Sequence, residues 1–550
     1  MDFLFPPRTF ERLEGNCVWG AHERELVGNS DIPAQGYRLR VQTDVIHLEA
    51  SDKMGLFYGR QLLGELKEQH PDGELPCCRI EDWPDFKNRG YMLDISRDRV
   101  PTMEHLFHLV DQLVRLRYNQ LQLYTEHTFA YKEHKTVWAH ASPMTASEIR
   151  ELDQYCRDRH IELVPNQNSF GHMERWLAHD AYRHLAECPE GFRHPISGAW
   201  RPQGSVIKPD AQSLEFLDGL YRELLPNFSS RKFNIGGDEP WELGWGASAD
   251  AVKAQGKHKV YADFLGRVCE LATEHGSEPM CWSDVLLEEP SFIERLPESV
   301  CPVIWGYEVG HPFEQQCTVL AELGHNFYVA PGDSTWTSYT GRLPTMLTNV
   351  QSAARIGKKY GAAGLLMTHW GDNGHPQTWP VSLPGLVWAG LQSWNGQIGE
   401  ESLEKNLRHI LGDQDGAFVE TLLESGKVDE RLGVHLVNKS FLADANLMTS
   451  AERDRLKLQP EASALRRFKR DCETWLESLT STELDARDAA QLVEELELVL
   501  RLNLFAVSRC LKESEVAPEA LRESYARCWH SRSRPGGLGD SLEKIFGFTH

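Results

Sequence analysis

Residues 232–239 read KFNIGGDE. Phe233 and Ile235 stand two apart, the spacing of one face of a short strand. Gly236 and Gly237 end that pattern, and Asp238 and Glu239 follow side by side, ahead of Pro240 and Trp241. Neighbours in a regular strand point to opposite faces, so two adjacent acids fit a place where a strand opens into a loop. The glycines permit that bend. An Asp-Glu pair alone reads as a solvated turn. Here the acids lie among apolar and aromatic residues, with Trp241 and Trp245 close behind. A carboxyl in such surroundings has a raised pKa and can act as a general acid near neutrality.

Outward from this stretch, the same theme recurs. Short apolar runs lie at 90–95, 119–123, 161–164, 232–235, 279–282, 302–305, 326–330 and 364–368. Each is followed by polar and aromatic residues and then by an amphipathic stretch. Helical patterns separate several of them, for example at 105–116 and at 146–159, the latter with Ser147 as N-cap. Strand–helix alternation predicts an α/β fold with a parallel sheet. Eight repeats over about 310 residues fit a (β/α)8 TIM barrel, with a doubly wound sheet as the structural alternative.

The barrel pattern covers residues 86–397. Before it, 1–85 reads as a small α/β domain. Residues 37–41 alternate, 45–48 is apolar, and the turn between them predicts a hairpin. Helical spacing runs from Gly55 to Leu66. After it, 398–550 reads as an α-helical C-terminal domain, rich in Glu, Leu, Lys and Arg. Residues 489–511 form a strong amphipathic pattern, and 463–479 and 518–529 are similar. Trp475 and Trp529 there read as core.

Composition bounds the function. The chain has 550 residues, enough for several domains, and is 41% hydrophobic and 25% charged, as globular proteins are. Its net charge of -23 argues against a nucleic-acid partner. Residues 1–16 lack the basic region and apolar core of a secretory signal. No apolar run approaches the roughly 18 residues of a membrane helix. The twelve cysteines are scattered and form no CxxC pair, which excludes a zinc ribbon and argues against a disulfide framework. Reduced thiols in a cytoplasmic protein are the expectation, with Cys281 and Cys301 as core fillers.

In a (β/α)8 barrel the catalytic residues stand at the C-terminal ends of the strands. Strand one offers Asp94 and Arg97, with Arg89 just before it. Strand two offers Glu126 and His127, and strand three Asn166, Asn168 and His172. Strand four offers Asp238 and Glu239, strand five Trp282 and Asp284, strand six Trp305 and Tyr307. Strand seven leads to Asp333, Trp336 and Tyr339, and strand eight to His369, Trp370 and Asp372. Indoles, carboxylates and an arginine are what a sugar site needs, because ring faces pack on indoles and hydroxyls need polar partners.

These motifs resemble those of glycoside hydrolase family 20, the β-N-acetylhexosaminidases. The resemblance rests on Ile235-Gly-Gly-Asp-Glu239, on Arg89-Gly-Tyr-Met-Leu-Asp94 running on to Arg97, and on Gly171-His172. Trp282-Ser-Asp284 and Trp370-Gly-Asp372 add to it. The first 85 residues are similar to the family's small α/β domain through 36–41 and 55–59, and the helical tail resembles an intracellular bacterial branch.

The resemblance implies an exo-acting, retaining hydrolase of terminal GlcNAc or GalNAc. Glu239 is then the general acid and later the base. Asp238 holds the substrate's 2-acetamido group, whose carbonyl oxygen attacks the anomeric carbon in the substrate-assisted manner of this family. Arg89 and Asp372 bind sugar hydroxyls, and Trp282, Trp305 and Trp370 wall the acetamido pocket. His172 supports the acids. The partner is an N-acetylhexosamine-terminated oligosaccharide or glycoconjugate, and neither a cofactor nor a metal is required. The helical tail is either a cap or the assembly surface of a homodimer.

Two stretches depart from the family pattern. An Asp pair after strand two is replaced by Tyr124-Thr-Glu126-His127, leaving Glu126 or His127 to support His172. A Tyr-Leu-Asp after strand seven is replaced by 334–339, where Tyr339 is the candidate for the acetamido oxygen and Trp336 the next. Two other classes of function compete. A metal-dependent barrel hydrolase would use Asp94, His127, His172, Asp238 and His369. A non-catalytic carbohydrate-binding barrel would have lost its acid, yet Glu239 is present.

Overall fold

The eight apolar runs form eight parallel strands that close into a barrel. In chain order strands one to eight are Asn88–Asp94, Gln120–Thr125, Glu162–Gln167, Lys232–Asn234, Glu278–Trp282, Cys301–Trp305, Tyr328–Ala330 and Gly364–His369. Strand eight pairs with strand one, Gly364 opposite Asn88 and His369 opposite Leu93, and this closure rules out the doubly wound sheet. The computed structural model describes residues 3–196, 198–513 and 518–547. Strands covered on both faces read as continuous apolar runs, which is why the pattern was visible. Met92, Val164, Met280, Val303 and Leu366 pack inside the barrel. Gln122 Oε1 accepts hydrogen bonds from Asn166 Nδ2 (3.0 Å) and Asn234 Nδ2 (3.2 Å) inside the barrel.

The helix after strand one, Met103–Arg115, is capped by Thr102, whose hydroxyl accepts from the His105 amide at 3.2 Å. The expected cap at Ser147 is corrected. Thr145 caps helix Ala146–Arg157, and the Glu148 carboxylate accepts from the Thr145 amide at 2.8 Å. A Thr-x-x-Glu capping box satisfies two amides reciprocally, which outcompetes a serine already inside the first turn.

The N-terminal sheet has five strands, in the order Thr9–Val18, Glu74–Asp82, Tyr37–Val41, Val45–Ala50, His22–Val27. The predicted hairpin is there, with Tyr37 opposite Ala50 and Val41 opposite Ile46. Helix Lys53–Glu68 buries Tyr58, Leu62 and Leu66. Gly55 has to be a glycine, since a Cβ would lie 2.1 Å from the Gly36 carbonyl oxygen. Asp82 and Arg117 form a fully buried ion pair at 2.9 Å where this sheet meets the barrel.

Beyond Trp394 the described residues are helical apart from short connections. Helix Ala489–Leu511 has the bounds the sequence predicts. Trp529 is fully buried, and Trp475 is half-buried with the Arg431 guanidinium 4.8 Å from its ring. This region packs on the loop after strand one, where the Thr102 amide donates to Arg532 O (2.9 Å) and the Arg534 amide to Val100 O (2.8 Å). All twelve cysteines are free thiols. No described helix is long and apolar enough to cross a membrane.

Candidate active site

The turn after strand four is built from unusual backbone. Gly236 and Gly237 have φ of +75° and +97°, and a Cβ on Gly236 would lie 1.8 Å from Asn168 Oδ1. Glu239 itself sits at φ +48°, a conformation that costs a non-glycine residue energy. Its amide donates to Asp284 Oδ2 at 3.2 Å. His172, at φ +57°, reaches the pair from the loop after strand three. Gly171 lets that loop approach, since a Cβ would stand 2.5 Å from the Asp238 carbonyl oxygen.

Both carboxylates therefore face one imidazole. His172 Nε2 is 3.1 Å from Asp238 Oδ2 and 3.7 Å from Glu239 Oε2. Burial disfavours the imidazolium, but the Asp238 carboxylate outweighs it and the His172 pKa is raised to about 10. Burial raises the pKa of Glu239, against the pull of His172. Asp284, behind Glu239, is raised to about 7 by burial and then by the charge of Asp238. Asp238 Oδ1 and Trp282 Nε1 are buried and make no hydrogen bond to the described residues, while the Trp305 indole interacts with the Asp284 carboxyl. Buried polar groups are nearly always paired, so two unpaired ones at one pocket mark a ligand position.

Aromatic rings wall the space around them. Trp305 stacks on Tyr307 with centroids 5.3 Å apart, and Trp336 meets Tyr307 edge-on at 5.0 Å. Trp370 lies 6.1 Å from Trp282 and donates its indole N–H to Tyr307 Oη at 2.9 Å. Arg97 enters from strand one and Asp372 from strand eight, their Nε and Oδ1 atoms 3.8 Å apart. Asp94 fixes Arg97 through Nη1 at 3.1 Å and also accepts from the Gly371 amide at 3.0 Å. The guanidinium lies over Tyr124 (4.6 Å) and Trp370 (5.1 Å).

The structure gathers Glu239, Asp238, His172, Trp282, Trp305, Trp336, Trp370 and Asp372 at one pocket. It excludes three of the expected residues from it. Arg89 is at the start of strand one, fully buried at the opposite end of the barrel, where no sugar reaches it. Arg97 lines the pocket instead. Tyr339 is turned toward the helical region, its hydroxyl accepting from Asn446 Nδ2 at 2.7 Å, and Tyr307 takes a place among the rings. Glu126 does not line the pocket. It accepts from the Tyr124 hydroxyl at 3.0 Å and pairs with Arg97 Nε at 3.1 Å, and burial raises its pKa to about 7. Neither Glu126 nor His127 bonds His172, whose Nδ1 faces Arg97 Nη2 at 3.4 Å.

The donors of the metal-hydrolase alternative do not converge. His127 lines a separate cavity with Ser96, Asp98 and Arg175, and His369 is held by Asp333 beside His375. Among the described residues no group of three His, Cys, Asp or Glu side chains is placed to hold a metal ion. Sequence reasoning left Arg97, Tyr307 and Asp284 unassigned, although each stands at a strand end. It had no signal for Asn438, which lines the pocket from the helical region.

Comparison with known proteins bears on the fold and the family. Residues 86–360, half of the chain, match the glycosyl hydrolase family 20 catalytic domain, and residues 10–83 match domain 2 of that family. A beta-hexosaminidase of Akkermansia muciniphila is 26% identical over 309 residues, covering 50% of this chain and 60% of that protein. One from Porphyromonas gingivalis is 23% identical over 451 residues, covering 76% of this chain and 51% of its own length. The chain thus spans between about half and three fifths of these relatives. Among solved structures, the family 20 exo beta-N-acetylglucosaminidase of Vibrio harveyi superposes with a TM-score of 0.59 at 15% identity, covering 77% of this chain and 78% of its own. The Flavobacterium johnsoniae chitobiase gives 0.57 at 15%, covering 98% of both chains. At such identity the likeness speaks to the fold, whereas the two matched segments carry the family: the chain belongs to glycosyl hydrolase family 20.

Proposed function

We propose that this chain is an exo-acting β-N-acetylhexosaminidase. It removes a terminal N-acetylhexosamine from an oligosaccharide or glycoconjugate, with retention, and the substrate's acetamido oxygen is the nucleophile. One observation carries the reading: Asp238 and Glu239 share His172 at a ring-walled pocket in which Asp238 Oδ1 and the Trp282 indole N–H have no partner among the described residues.

Glu239, whose pKa burial raises, gives its proton to the glycosidic oxygen. The acetamido carbonyl oxygen attacks the anomeric carbon as the bond to the leaving group breaks, forming an oxazolinium ion. Asp238 is held through Oδ2 by His172, so Oδ1 is free to accept the amide N–H and to stabilise the positive charge. Water, deprotonated by Glu239, then opens the ring from the original face. Trp282, Trp305, Tyr307 and Trp336 enclose the acetamido group, Trp370 packs against the sugar, and Arg97 and Asp372 bind hydroxyls.

Two of the protein's other carboxylates near the site are poorly placed to be nucleophiles. Asp94 is fully buried and accepts from the Ser96, Arg97 and Gly371 amides and from the Arg97 guanidinium. Asp284 sits behind the Glu239 amide. Proton NMR of the first-formed sugar from an aryl β-N-acetylglucosaminide should show the β-anomer. An α-anomer would mean direct attack by water and would end this proposal.

A further inference from the structure

One residue that lines the pocket comes from outside the barrel. Asn438 lies between helices Val428–Leu432 and Phe441–Asn446, in a turn closed by a bridge from Leu436 to Lys439. It is also outside both segments that match the family. Two barrel loops hold the turn in place. Glu308, which follows Tyr307 after strand six, accepts from the Asn438 amide (2.8 Å), from Arg342 Nη1 (2.8 Å) and from His435 Nε2 (3.0 Å). The Ser440 amide donates to Thr337 O at 3.0 Å, one residue beyond Trp336. Asn438 adopts φ +60°, a conformation that Asn tolerates better than most residues. It is exposed, and its side-chain amide makes no hydrogen bond to a described residue.

A primary amide offers two donors and an acceptor, which suits a sugar hydroxyl, itself donor and acceptor. Arg97 and Asp372 enter from strands one and eight, while Asn438 enters over the loops of strands six and seven. It therefore meets a different edge of the sugar ring. We propose that Asn438 is a specificity-determining residue that hydrogen-bonds a hydroxyl of the terminal sugar, so that the C-terminal helical region completes the pocket. This inference rests on the hydrolase reading above.

The test is Asn438→Gly in the full chain, because glycine keeps the left-handed backbone while removing the side chain and its amide. Asn438→Asp, which keeps the acceptor and loses the donors, is the conservative partner. Kinetics are measured with an aryl β-N-acetylhexosaminide and its 3-, 4- and 6-deoxy analogues. For Asn438→Gly, KM on the parent substrate should rise by several-fold to about tenfold, the worth of one neutral hydrogen bond. kcat should hold within about twofold. The penalty should vanish on the one analogue that lacks the bonded hydroxyl, and the melting temperature should not move. An unchanged KM, or an equal loss on all four substrates, would overturn the assignment while leaving the hydrolase reading intact. A wild-type chain inert on the parent substrate would remove both.

Discussion

Arg89 and Arg97 stand eight residues apart, one at the start of a strand and one just past its end, and have opposite lives. Arg89 donates from Nε to Arg117 O (2.7 Å), from Nη1 to Gln35 Oε1 (2.9 Å) and Phe86 O (2.7 Å), and from Nη2 to the Tyr58 hydroxyl (2.5 Å). The rings of Tyr58 and Trp394 lie 5.3 and 5.2 Å from it. It is fully buried, ties the N-terminal domain to the barrel, and has no carboxylate partner among the described residues. Arg97 has carboxylates around it and opens on the pocket. Parallel strands give a barrel one end for stability and one for chemistry, so strand direction decides what a motif arginine does.

This contrast can be broken by mutation. The largest effect belongs at the open end. Glu239→Gln keeps shape and removes the proton donor, so turnover of a substrate with a poor leaving group should fall about 10²- to 10⁴-fold with little change in melting temperature. An activated aryl leaving group should lose less. Equal losses for both would remove Glu239 from the acid role.

At the closed end the expected sign is reversed. Arg89→Met leaves several buried acceptors unpaired and should cost about 3 kcal/mol of stability in denaturant unfolding, while the specific activity of the folded fraction stays as in the wild type. Loss of activity without loss of stability would put Arg89 back in the site. The smallest effect is that of Arg97→Lys. It keeps the charge and loses the planar fork, so kcat/KM should fall by about 2 kcal/mol, roughly thirtyfold, with stability nearly unchanged. If Arg97→Lys unfolds the protein and Arg89→Met does not, the two ends have been misread.

The barrel was legible because strands buried on both faces leave unbroken apolar runs, and each of the eight runs became a strand. Helix 489–511 was legible through its periodicity. Strands Thr9–Val18 and His22–Val27 were not, because they edge the sheet and are mostly exposed, with no apolar alternation. In the site, residues directly at strand ends were readable, since strand direction places them. Tyr339 misled because a loop turns side chains by contacts made far along the chain, here with Asn446. Asn438 was out of reach for the same reason, its anchor Glu308 being 130 residues away.

Substrate assistance is the central claim, and one comparison tests it most directly. The wild-type chain is given an aryl β-N-acetylglucosaminide and the matching aryl β-glucoside, which differ only in the acetamido group. If that group is the nucleophile, the glucoside lacks an intramolecular reaction worth several kcal/mol and should be slower by about 10³-fold or more, even when it binds. Comparable rates would contradict the account and require one of the protein's own carboxylates to attack the sugar.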